Sequence, residues 1–346
     1  MTRPTKARTT LKAIAQEAGV TTTTVSCILN NKGGRYAEQT KQRVLEIAQR
    51  RKYRPNVMAQ GVKTGQSNTA GIMIPNRELF YTEIINAIHD TLLKNETLLL
   101  LCWNDYYWNN ARDDQKERRI IHHLVDRQVD GIILCPTTED FEHSYFEEIW
   151  QKDIPLILID RELSKFNTDF VGSDDEKGGA IVAEHLLSLG HRKLLYLGAN
   201  NLSTSKHRES GFRKATKDRC DVHLQAIDSE APDCDEQLLQ RLQSKDHRPT
   251  AVFCINDHVA LRRLLPITEA AGLRVPEDLS IVGYGNQRLD RGREPFLTTV
   301  DQHPDKIGST AAQLYLQRMH QASPAERRKE LIRPTLMVHQ STTPLP

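Results

Sequence analysis

The sequence has few of the features that mark membrane, secreted or metal-binding proteins. Its six cysteines, at positions 27, 102, 135, 220, 234 and 254, are scattered and form no C-x-x-C pair. A zinc site or a small disulfide-bonded domain needs closely spaced cysteines, so reduced thiols are expected instead. No apolar run approaches the ~20 residues of a membrane span, and the polar, basic N-terminus lacks the apolar segment of a signal peptide. We therefore predict a cytoplasmic protein that does not enter a membrane.

Signatures of common enzymes are also missing. The sequence contains no G-x-x-x-x-G-K-[ST], no G-x-S-x-G and no H-E-x-x-H, and the stretch V-G-Y-G-N-Q lacks the spacing of a dinucleotide-binding loop. The neighbouring His122 and His123 are typical of a solvated helix rather than of a metal site. The acidic run at positions 174–176 is expected at a helix N-terminus, where negative charge is favourable. We predict no catalytic residue, no metal and no cofactor.

Positive charge is concentrated in the first 66 residues. They contain thirteen Lys and Arg but three Glu, a net charge of +10, whereas the whole chain carries +2. The remaining 280 residues therefore carry −8 by subtraction. A basic segment joined to a mildly acidic body indicates one part that contacts phosphates and a second part with another role.

Residues 10–30, T-L-K-A-I-A-Q-E-A-G-V-T-T-T-T-V-S-C-I-L-N, indicate two short helices joined by a turn. Thr10 and Thr21 can each cap a helix, and Gly19 stands where a helix end needs a positive φ. Apolar residues recur at helical spacing in both segments, and the opposite face of the second carries short polar side chains. This is the pattern of a helix-turn-helix, whose second helix enters the DNA major groove.

A third helix is predicted over residues 38–52. Its candidate core face is formed by Val44, Leu45, Ile47 and Ala48. Pro55 ends this helix, and Asn56 can cap a further helix of barely two turns. A helix so short is marginal in water, so residues 56–64 are expected to become helical only with a partner.

From Ala70 onward, apolar runs alternate with amphipathic segments. The runs, such as G-I-I-L-C-P and K-L-L-Y-L-G, are short, continuous and rich in Ile and Leu, as in strands buried on both faces of a parallel sheet. The amphipathic segments fit crossover helices, which predicts an α/β, doubly wound core. About 280 residues is large for one such sheet, so two subdomains are expected. Parallel sheets bind ligands beyond the carboxyl ends of their strands, so a cleft between the two sheets is expected.

Several stretches of the chain resemble the LacI/GalR family of bacterial transcription regulators. Residues 10–30 follow the family pattern T-x-x-x-[IV]-A-x-x-A-G-V-[ST]-x-x-T-V-S-x-x-[IL]-N, and Y-R-P-N-V-M-A-Q follows at the family spacing. Matching stretches in the body include V-D-G-I-I-L, H-L-L-S-L-G-H-R-K-L-L-Y-L-G and F-L-T-T-V-D-Q. The resemblance covers almost the whole chain. It implies an all-α helix-turn-helix head, a hinge, and a periplasmic-binding-protein-like core of two doubly wound parallel-sheet subdomains.

The resemblance also assigns DNA contacts to the head and hinge. Base-reading positions are matched by Thr22, Thr23 and Cys27, and phosphate-contacting positions by Thr21, Thr24, Ser26, Asn30 and Thr40. Cys27 replaces a residue that is often Arg in the family, so the bidentate contact of Arg with guanine is absent. Asn56 begins the hinge, and Val62 occupies the position of a Leu that wedges into the minor groove. The expected partner is a double-stranded, pseudo-palindromic operator.

For the core, the resemblance implies an effector site. The matching positions are Phe80, Tyr81, Asp160, Ser173, Arg208, Asn256, Asp257 and Gln302. Carboxylates, amides and an arginine suit the hydroxyls of a sugar, and aromatic rings suit its apolar face. Structural roles stay open for two of them, because Asp257 can cap the helix that follows and Arg208 can pair with Glu209 or Glu176. Gly285 stands where the family has an Asp, which removes one usual polar anchor.

These assignments divide the chain into a helix-turn-helix head (1–55), a hinge helix and linker (56–68), and an effector-binding and dimerisation core (69–346). Within the core, we expect an N-subdomain of about 69–160 plus 302–320 and a C-subdomain of about 161–300 plus 323–346. No apolar heptad follows the strand predicted near Thr335–His339, so a dimer is expected rather than a tetramer.

The predicted function is a homodimeric transcriptional repressor controlled by a small metabolite, with a sugar or sugar derivative as the first choice. A purine or nucleoside corepressor is the first alternative, because Phe80 and Tyr81 could stack a base. A solute-binding protein and a sugar-acting enzyme on the same core are the others. The basic head argues against the solute-binding protein, and the missing catalytic motifs argue against the enzyme. The aromatic cluster from Trp103 to Trp108 fits either loop packing or an interface.

Overall fold

The computed structural model of the chain describes residues 9–30, 36–54, 65–104, 114–137, 151–163, 168–199, 202–217, 221–287, 295–320 and 326–345, together with residues 146, 149 and 166. The chain divides into two compact units, Met1–Ser67 and Asn68–Pro346. The predicted hinge helix with Asn56 and Val62 lies outside the described residues, as do the members of the aromatic cluster after Trp103.

In its described residues the first unit contains three helices, and side-chain caps begin the first two. They are α1 Leu11–Ala18, α2 Thr22–Leu29 and α3 Glu38–Arg50. Thr10 Oγ1 accepts a hydrogen bond from Ala13 N at 3.3 Å, and Thr21 Oγ1 accepts one from Thr24 N at 3.1 Å. Gly19 ends α1 with a φ of 65°, a conformation that costs glycine little. The predicted helix-turn-helix is confirmed.

A small apolar core joins these helices. Its buried members are Ile14, Ala15, Ala18, Val25, Val44, Ile47 and Ala48. One predicted member of the core face of α3 is wrong, since Leu45 is 50% exposed. Each helical residue is turned by about 100° from the one before, so burial of Val44 rotates Leu45 out of the core. Helix α3 begins without a side-chain cap, because Ala37 has no oxygen to accept a hydrogen bond.

The second unit alternates strands and helices along the chain. Its strands are β1 Thr69–Ile74, β2 Leu98–Trp103, β3 Gly131–Leu134, β4 Leu156–Ile159, β5 Asp169–Ser173, β6 Lys193–Gly198, β7 His223–Asp228, β8 Ala251–Cys254, β9 Ser280–Val282, β10 Thr299–Asp301, β11 Lys329–Ile332 and β12 Thr335–Met337. Its helices are α4 Leu79–Leu93, α5 Asp114–Asp126, α6 Asp175–Ser188, α7 Ser203–Thr216, α8 Cys234–Gln243, α9 Asp257–Val259, α10 Leu265–Ala270 and α11 Pro304–Met319. A π-helical turn, Ala260–Leu264, joins α9 to α10. In the part of the chain described, no helix has the length and apolar character needed to cross a membrane.

The strands form two parallel sheets, as the alternating pattern predicts. The first has the order β11-β5-β4-β3-β1-β2 and the second the order β7-β6-β8-β9, while β10 and β12 pair separately and antiparallel. Side chains of α4 and α11 share one apolar cluster with the first sheet, and those of α5 share another. The second sheet likewise packs against α8 in one cluster and α6 in another. Strands buried on both faces explain the continuous apolar runs of the sequence.

The division between the two sheets differs from the predicted subdomain bounds. Residues 169–173 and 329–332, assigned from sequence to the C-subdomain, form β5 and β11 and pair in parallel within the first sheet. The chain therefore leaves the first sheet after Ser173 rather than near residue 160. The segment D-F-V-G-S was not recognised because it is short and polar. The segment K-E-L-I lies at a sheet edge, where burial is incomplete and the apolar signal is weak.

Two glycines bring α6 and α7 into backbone contact. A Cβ at Gly179 would lie 1.9 Å from the carbonyl oxygen of Arg208, and one at Gly211 would lie 1.7 Å from the carbonyl oxygen of Glu176. Close-packed interiors do not tolerate such overlaps, so both positions need glycine. The crossing holds Arg208 beside the N-terminal turn of α6.

Candidate functional site

Helix α2 presents short polar side chains to solvent. Thr21, Thr22 and Thr23 are exposed and Ser26 is half-buried, whereas Val25 is fully buried in the head core. Burial of Val25 sets the rotation of the helix, so the threonines of its first turn face outward. Hydroxyls and methyl groups in this position are groups that base edges in the major groove can bind.

Several of the residues expected to contact phosphates are already held by neighbours within the head. Thr21 Oγ1 lies 2.9 Å from Thr24 Oγ1, and Asn30 Nδ2 donates to Ser26 O at 2.8 Å. Thr40 lies in the first turn of α3 and is half-buried. Side chains ordered in advance lose less entropy when they bind a partner.

Cys27, expected to read a base, has a neighbour that the sequence did not indicate. The thiol of Cys27 is half-buried, and its hydrogen bond with the Tyr36 hydroxyl is the main cause of the raised pKa of Tyr36. Tyr36 lies in the segment before α3, well separated from Cys27 in sequence. The contact places a phenolic hydroxyl next to a position assigned to base reading.

Basic residues at the end of α3 are paired with an acid on α1. Arg50 and Arg51 contact the two carboxylate oxygens of Glu17. The hydrogen bond from Arg51 is the largest cause that lowers the pKa of Glu17. Two guanidiniums against one carboxylate leave this end of the head positive, as a DNA-phosphate surface requires.

In the core, the first sheet contributes a buried hydrogen-bonded pair at the carboxyl ends of its strands. Tyr81 Oη donates to Asp160 Oδ2 at 2.8 Å, and both residues are less than a tenth exposed. Cys135, which directly follows β3, has its Sγ 3.8 Å from the same oxygen. The ring of Phe80 lies 5.1 Å from that of Tyr81 and is also buried. Phe80, Tyr81 and Asp160, three predicted effector residues, therefore lie together at the carboxyl ends of the strands, where parallel sheets bind ligands.

Arg208 of α7 is held by four neighbours. Its Nε donates to Asp175 Oδ1 at 2.9 Å, and its terminal nitrogens donate to Ile255 O at 2.6 Å and to Gln302 Oε1 at 3.2 Å. The guanidinium carbon lies 3.8 Å from the centre of the Tyr284 ring. Arg208 is 5% exposed. The hydrogen bond between Arg208 and Gln302 joins two predicted effector residues that are far apart in the sequence.

The two ion-pair partners suggested for Arg208 from the sequence, Glu209 and Glu176, are wrong. Glu209 pairs with Arg213 one turn along the same helix, and Glu176 pairs with Lys214. Both pairs are partly exposed to solvent. The alternation of buried and exposed positions on α7 directs Arg208 inward and its acidic neighbour outward.

The actual partner of Arg208 belongs to the acidic run at the start of α6. Asp174 caps that helix by accepting a hydrogen bond from Lys177 N at 3.1 Å, which confirms the role expected of the run. Asp175, the next residue, is 5% exposed and points to Arg208 instead. Burial raises the pKa of Asp175, and the charge of Arg208 acts in the opposite direction. Asp175 was not predicted as a partner of Arg208, because all three acids of the run are favourable at a helix N-terminus and nothing in the sequence distinguishes one of them.

Asn256 and Asp257 have roles that differ from those considered. Asn256 Oδ1 caps α9 by accepting from Val259 N at 2.8 Å, so the capping role left open for Asp257 is wrong. Asp257 accepts hydrogen bonds from Gln287 N at 2.6 Å and from Thr299 Oγ1 at 2.5 Å. Burial raises the pKa of Asp257 to about 6, and these hydrogen bonds oppose the rise. The carboxylate of Asp257, which follows β8, therefore binds both the segment after β9 and the first residue of β10.

Direct hydrogen bonds connect the two subdomains across the cleft. Gln287 Nε2, after β9, donates to Glu78 Oε2, which precedes α4, at 3.2 Å. Ser173 Oγ, at the end of β5, lies 3.4 Å from Tyr284 Oη. Burial raises the pKa of Glu78, whereas the amide of Gln287 lowers it. Neither Glu78 nor Gln287 was predicted, because a single Glu before a helix and a single Gln in a loop carry no distinctive pattern.

A cavity of about 510 Å³ adjoins this network and is lined from both subdomains. Asp160, Ser173 and Asp175 form part of its wall, together with Phe170 from the first sheet and His207 from α7. Its volume falls in the range of small-molecule sites. Over the described ranges, His, Cys, Asp and Glu side chains form no cluster that could hold a metal ion.

A helix-turn-helix head with an exposed polar helix, in one chain with a core of two parallel sheets that gathers polar side chains at its strand ends, defines a DNA-binding regulator with a ligand-binding core. Residues 10–56 match the family of bacterial regulatory proteins named lacI, and residues 183–342 match the periplasmic binding protein-like domain. The chain is 31% identical to the HTH-type transcriptional repressor PurR of Mannheimia succiniciproducens over 96% of this chain and 98% of that protein.

Further relatives agree with this match. The chain is 31% identical to the HTH-type transcriptional regulator DegA of Bacillus subtilis, over 98% of this chain and 99% of that protein. A solved LacI family transcriptional regulator from Enterococcus faecium with bound ribose is 29% identical, with a TM-score of 0.67 over 80% of this chain and all of that one. The lac repressor dimer bound to operator and the anti-inducer ONPF shares the fold, at 23% identity and a TM-score of 0.79 over 97% of this chain and 99% of that one. The chain belongs to the lacI family of bacterial regulatory proteins and is a DNA-binding regulator of transcription.

Proposed function

We propose that this regulator is a repressor that binds a pseudo-palindromic operator as a homodimer and responds to a sugar or sugar derivative. The observation that carries the proposal is the polar network at the facing strand ends of the two sheets, in a chain whose head exposes a row of threonines. A regulator needs both parts, one to read DNA and one whose shape a small molecule can change.

DNA reading is assigned to α2 and its neighbours. Thr22, Thr23 and Cys27 are proposed to contact bases, and Thr21, Thr24, Ser26, Asn30 and Thr40 to contact phosphates. The exposure of the first turn of α2 supports this assignment. Asn56 and Val62 are retained as hinge contacts from the sequence alone. The protein is proposed to act in the cytoplasm, because the DNA it binds is there.

The effector is proposed to bind in the cleft between the subdomains. The assigned residues are Phe80, Tyr81, Asp160, Ser173, Arg208, Asn256, Asp257 and Gln302. The Tyr81–Asp160 and Arg208–Gln302 hydrogen bonds support this, because they hold donors and acceptors at the facing strand ends. A related regulator from Enterococcus faecalis, 27% identical, was solved with bound ribose. Paired polar groups of this kind suit the hydroxyls of a sugar.

The mechanism is a coupled equilibrium between ligand and operator. A ligand in the cleft changes the angle between the subdomains, because it contacts both. The angle in turn sets how the paired cores place their two heads, so the operator and the ligand favour the same or opposite arrangements. No chemical conversion is part of this scheme, and assays with sugars and phosphosugars are expected to yield no product.

The DNA part of the proposal is tested by selecting operators from random DNA with the full chain. We expect a pseudo-palindrome whose half-sites lie about one helical turn apart. Thr23→Ala should change the preferred bases. Arg43→Ala, on the exposed face of α3, should weaken binding to all sequences and flatten its salt dependence. Recovery of random or asymmetric DNA would contradict the proposal.

A purine or nucleoside corepressor is the second candidate. The adjacent rings of Phe80 and Tyr81 favour it, since aromatic faces can stack on a base. Both rings are more than nine-tenths buried, however, and the Tyr81 hydroxyl is bonded to Asp160. Calorimetry of the full chain with hexoses, pentoses and purines distinguishes the candidates, because they predict heat from different compounds.

A further inference from the structure

We propose that Glu78 is an effector-recognition residue and that the effector carries a positively charged nitrogen, which replaces the Gln287 amide at this carboxylate. The inference rests on the proposed function, because it concerns the ligand of the same cleft. It adds a residue that the family resemblance did not indicate, and it assigns a charge to the ligand.

The surroundings of Glu78 provide the first argument. Its carboxylate is half-buried, and its hydrogen bond comes from the neutral amide of Gln287 at 3.2 Å. Among the residues that the structure describes, none forms an ion pair with Glu78, although His258 and Arg161 are near enough for their charges to lower its pKa. An ammonium donor adds the attraction of an opposite charge to the hydrogen bond, which a neutral amide donor does not. A ligand ammonium can therefore displace the amide and leave Glu78 better compensated than before.

The two buried guanidiniums at the strand ends provide the second argument, because acceptors of the chain already bind them. Arg208 is bound to Asp175 and to two further acceptors. Arg161 donates to the carbonyl oxygens of Pro136 and Thr137 at 3.2 and 2.9 Å. A phosphate or carboxylate on the effector would have to compete with these acceptors for either guanidinium.

The charge balance of the described strand ends points the same way. The carboxylates of Glu78, Asp160, Asp175 and Asp257 lie with the guanidiniums of Arg161 and Arg208 and with the imidazole of His258. Asp257, like Glu78, accepts hydrogen bonds from neutral donors, a hydroxyl and a backbone amide. Excess acid in a partly desolvated cleft attracts a cation and repels an anion.

The position of Glu78 lets one ligand reach the rest of the site. Glu78 directly precedes α4 and Tyr81 lies in its first turn, and the charge of Asp160, which binds Tyr81, also acts on Glu78. A sugar whose hydroxyls bind near Tyr81 and Asp160 can therefore present an amino group to Glu78. The ligand class that follows is an amine-bearing sugar derivative rather than a phosphorylated or acidic one.

The test is calorimetry of the full chain with matched compounds. The probes are D-glucosamine, D-galactosamine and D-mannosamine, the three parent hexoses, and the three hexose 6-phosphates. We expect at least one amine to bind about tenfold or more tightly than its parent, the effect expected of a charge-assisted hydrogen bond. Glu78→Gln should remove that preference, so that the amine and its parent hexose bind with similar affinity. Glu83→Gln, which removes the same charge from an exposed position on α4, should leave the preference intact.

Gln287→Ala separates recognition from mere support of the cleft. The variant removes the competing amide but keeps the backbone N–H that binds Asp257. Amine affinity should be retained or increased. The proposal is overturned if no amine exceeds its parent, if the 6-phosphates bind best, if Glu78→Gln keeps the preference, or if Gln287→Ala abolishes it. Binding of the parent hexoses without an amine preference would remove this inference and leave the proposed function standing. Binding of purines alone would remove both.

Discussion

Arg208 is both a proposed effector contact and a part of the core, so its removal affects stability as well as response. Arg208→Ala leaves the Asp175 carboxylate buried without its cation. Breaking a buried ion pair by removing one partner costs about 3–5 kcal/mol. We expect a loss of that order in the free energy of unfolding, measured by urea denaturation of the full chain. Effector response should be lost as well, which operator-binding titrations with the identified ligand will show.

Arg213→Ala is the matched control on the same helix. Arg213 pairs with Glu209, and the two side chains are 48% and 25% exposed. Solvent screens such a pair, so its loss is expected to cost about 1 kcal/mol or less. Equal effects of the two substitutions would show that the Arg208 network contributes no more than a surface pair.

Asp257 is expected to make stability depend on pH. Burial raises its pKa to about 6 from an ordinary value of 3.8. Between these two values the folded state holds a proton that the unfolded state has released. The free energy of unfolding contributed by this group is therefore largest below the lower value and falls as pH rises to about 6. The full loss amounts to about 3 kcal/mol, at about 1.4 kcal/mol for each pH unit between the two pKa values.

Asp257→Asn isolates this contribution, because Asn keeps a similar shape but does not titrate. Urea denaturation of both proteins at pH 4, 5, 6 and 7.5 gives the difference in unfolding free energy at each pH. The wild type should lose stability relative to the variant as pH rises to 6 and remain level above it. A difference that is constant across the series would show that Asp257 has the same pKa in both states.

At the scale of elements, the contact between α6 and α7 depends on glycine. A methyl group at position 211 would overlap the carbonyl oxygen of Glu176, which backbone atoms cannot avoid by changing rotamer. Gly211→Ala should push the helices apart and lower the free energy of unfolding by about 1–3 kcal/mol or more, the usual cost of overpacking. Ser210→Ala, which adds no atom to the contact, is the control. Similar unfolding midpoints in urea would mean that the crossing adjusts without strain.

The sequence was sufficient for the elements with strong patterns. K-L-L-Y-L-G predicts a buried strand, and Lys193–Gly198 is one. The strands that were missed, such as β5 and β7, carry polar residues or lie at a sheet edge, where alternation is imperfect and apolar content is low. Their existence follows from pairing with other strands, which no local pattern encodes. For this reason the first sheet is larger than the predicted bounds allowed.

The candidate site shows the same limit. The residues carried over by resemblance gave Arg208 and Gln302, but not the buried Asp175 that holds Arg208 or the Glu78–Gln287 bond across the cleft. Those partners are acids and amides of ordinary type in loops and helix ends. Their significance lies in burial and distance, which depend on how two sheets from one chain face each other. Charge balance in the cleft was therefore accessible only from the structure.

At the scale of the whole molecule, the first sheet ends in an apolar edge. Among the described strands β2 is the last of this sheet, and the segment L-L-L-L-C-W leaves Leu98 63% exposed, while Leu93 of α4, five residues earlier in the chain, is 53% exposed. An edge of this composition, with no further strand paired to it in the described part of the chain, invites pairing with another chain. Exposed apolar patches on a soluble protein mark interaction surfaces, and two-fold dimers are the commonest symmetric assembly. We propose that the homodimer forms through this edge.

Leu98→Lys should therefore weaken the dimer, since it places a charge in the apolar contact and on a strand edge, where lysine blocks pairing. Light scattering of the full chain at micromolar concentration should give twice the chain mass for the wild type and about one chain mass for the variant. Leu331→Lys is the control, because Leu331 is 46% exposed on β11, the opposite edge of the same sheet. It should remain dimeric. Operator affinity should fall with Leu98→Lys alone, because a two-fold operator is bound tightly only when both heads are linked. A Leu98→Lys protein that stays dimeric would place the interface elsewhere, and a wild type of four chain masses would contradict the dimer itself.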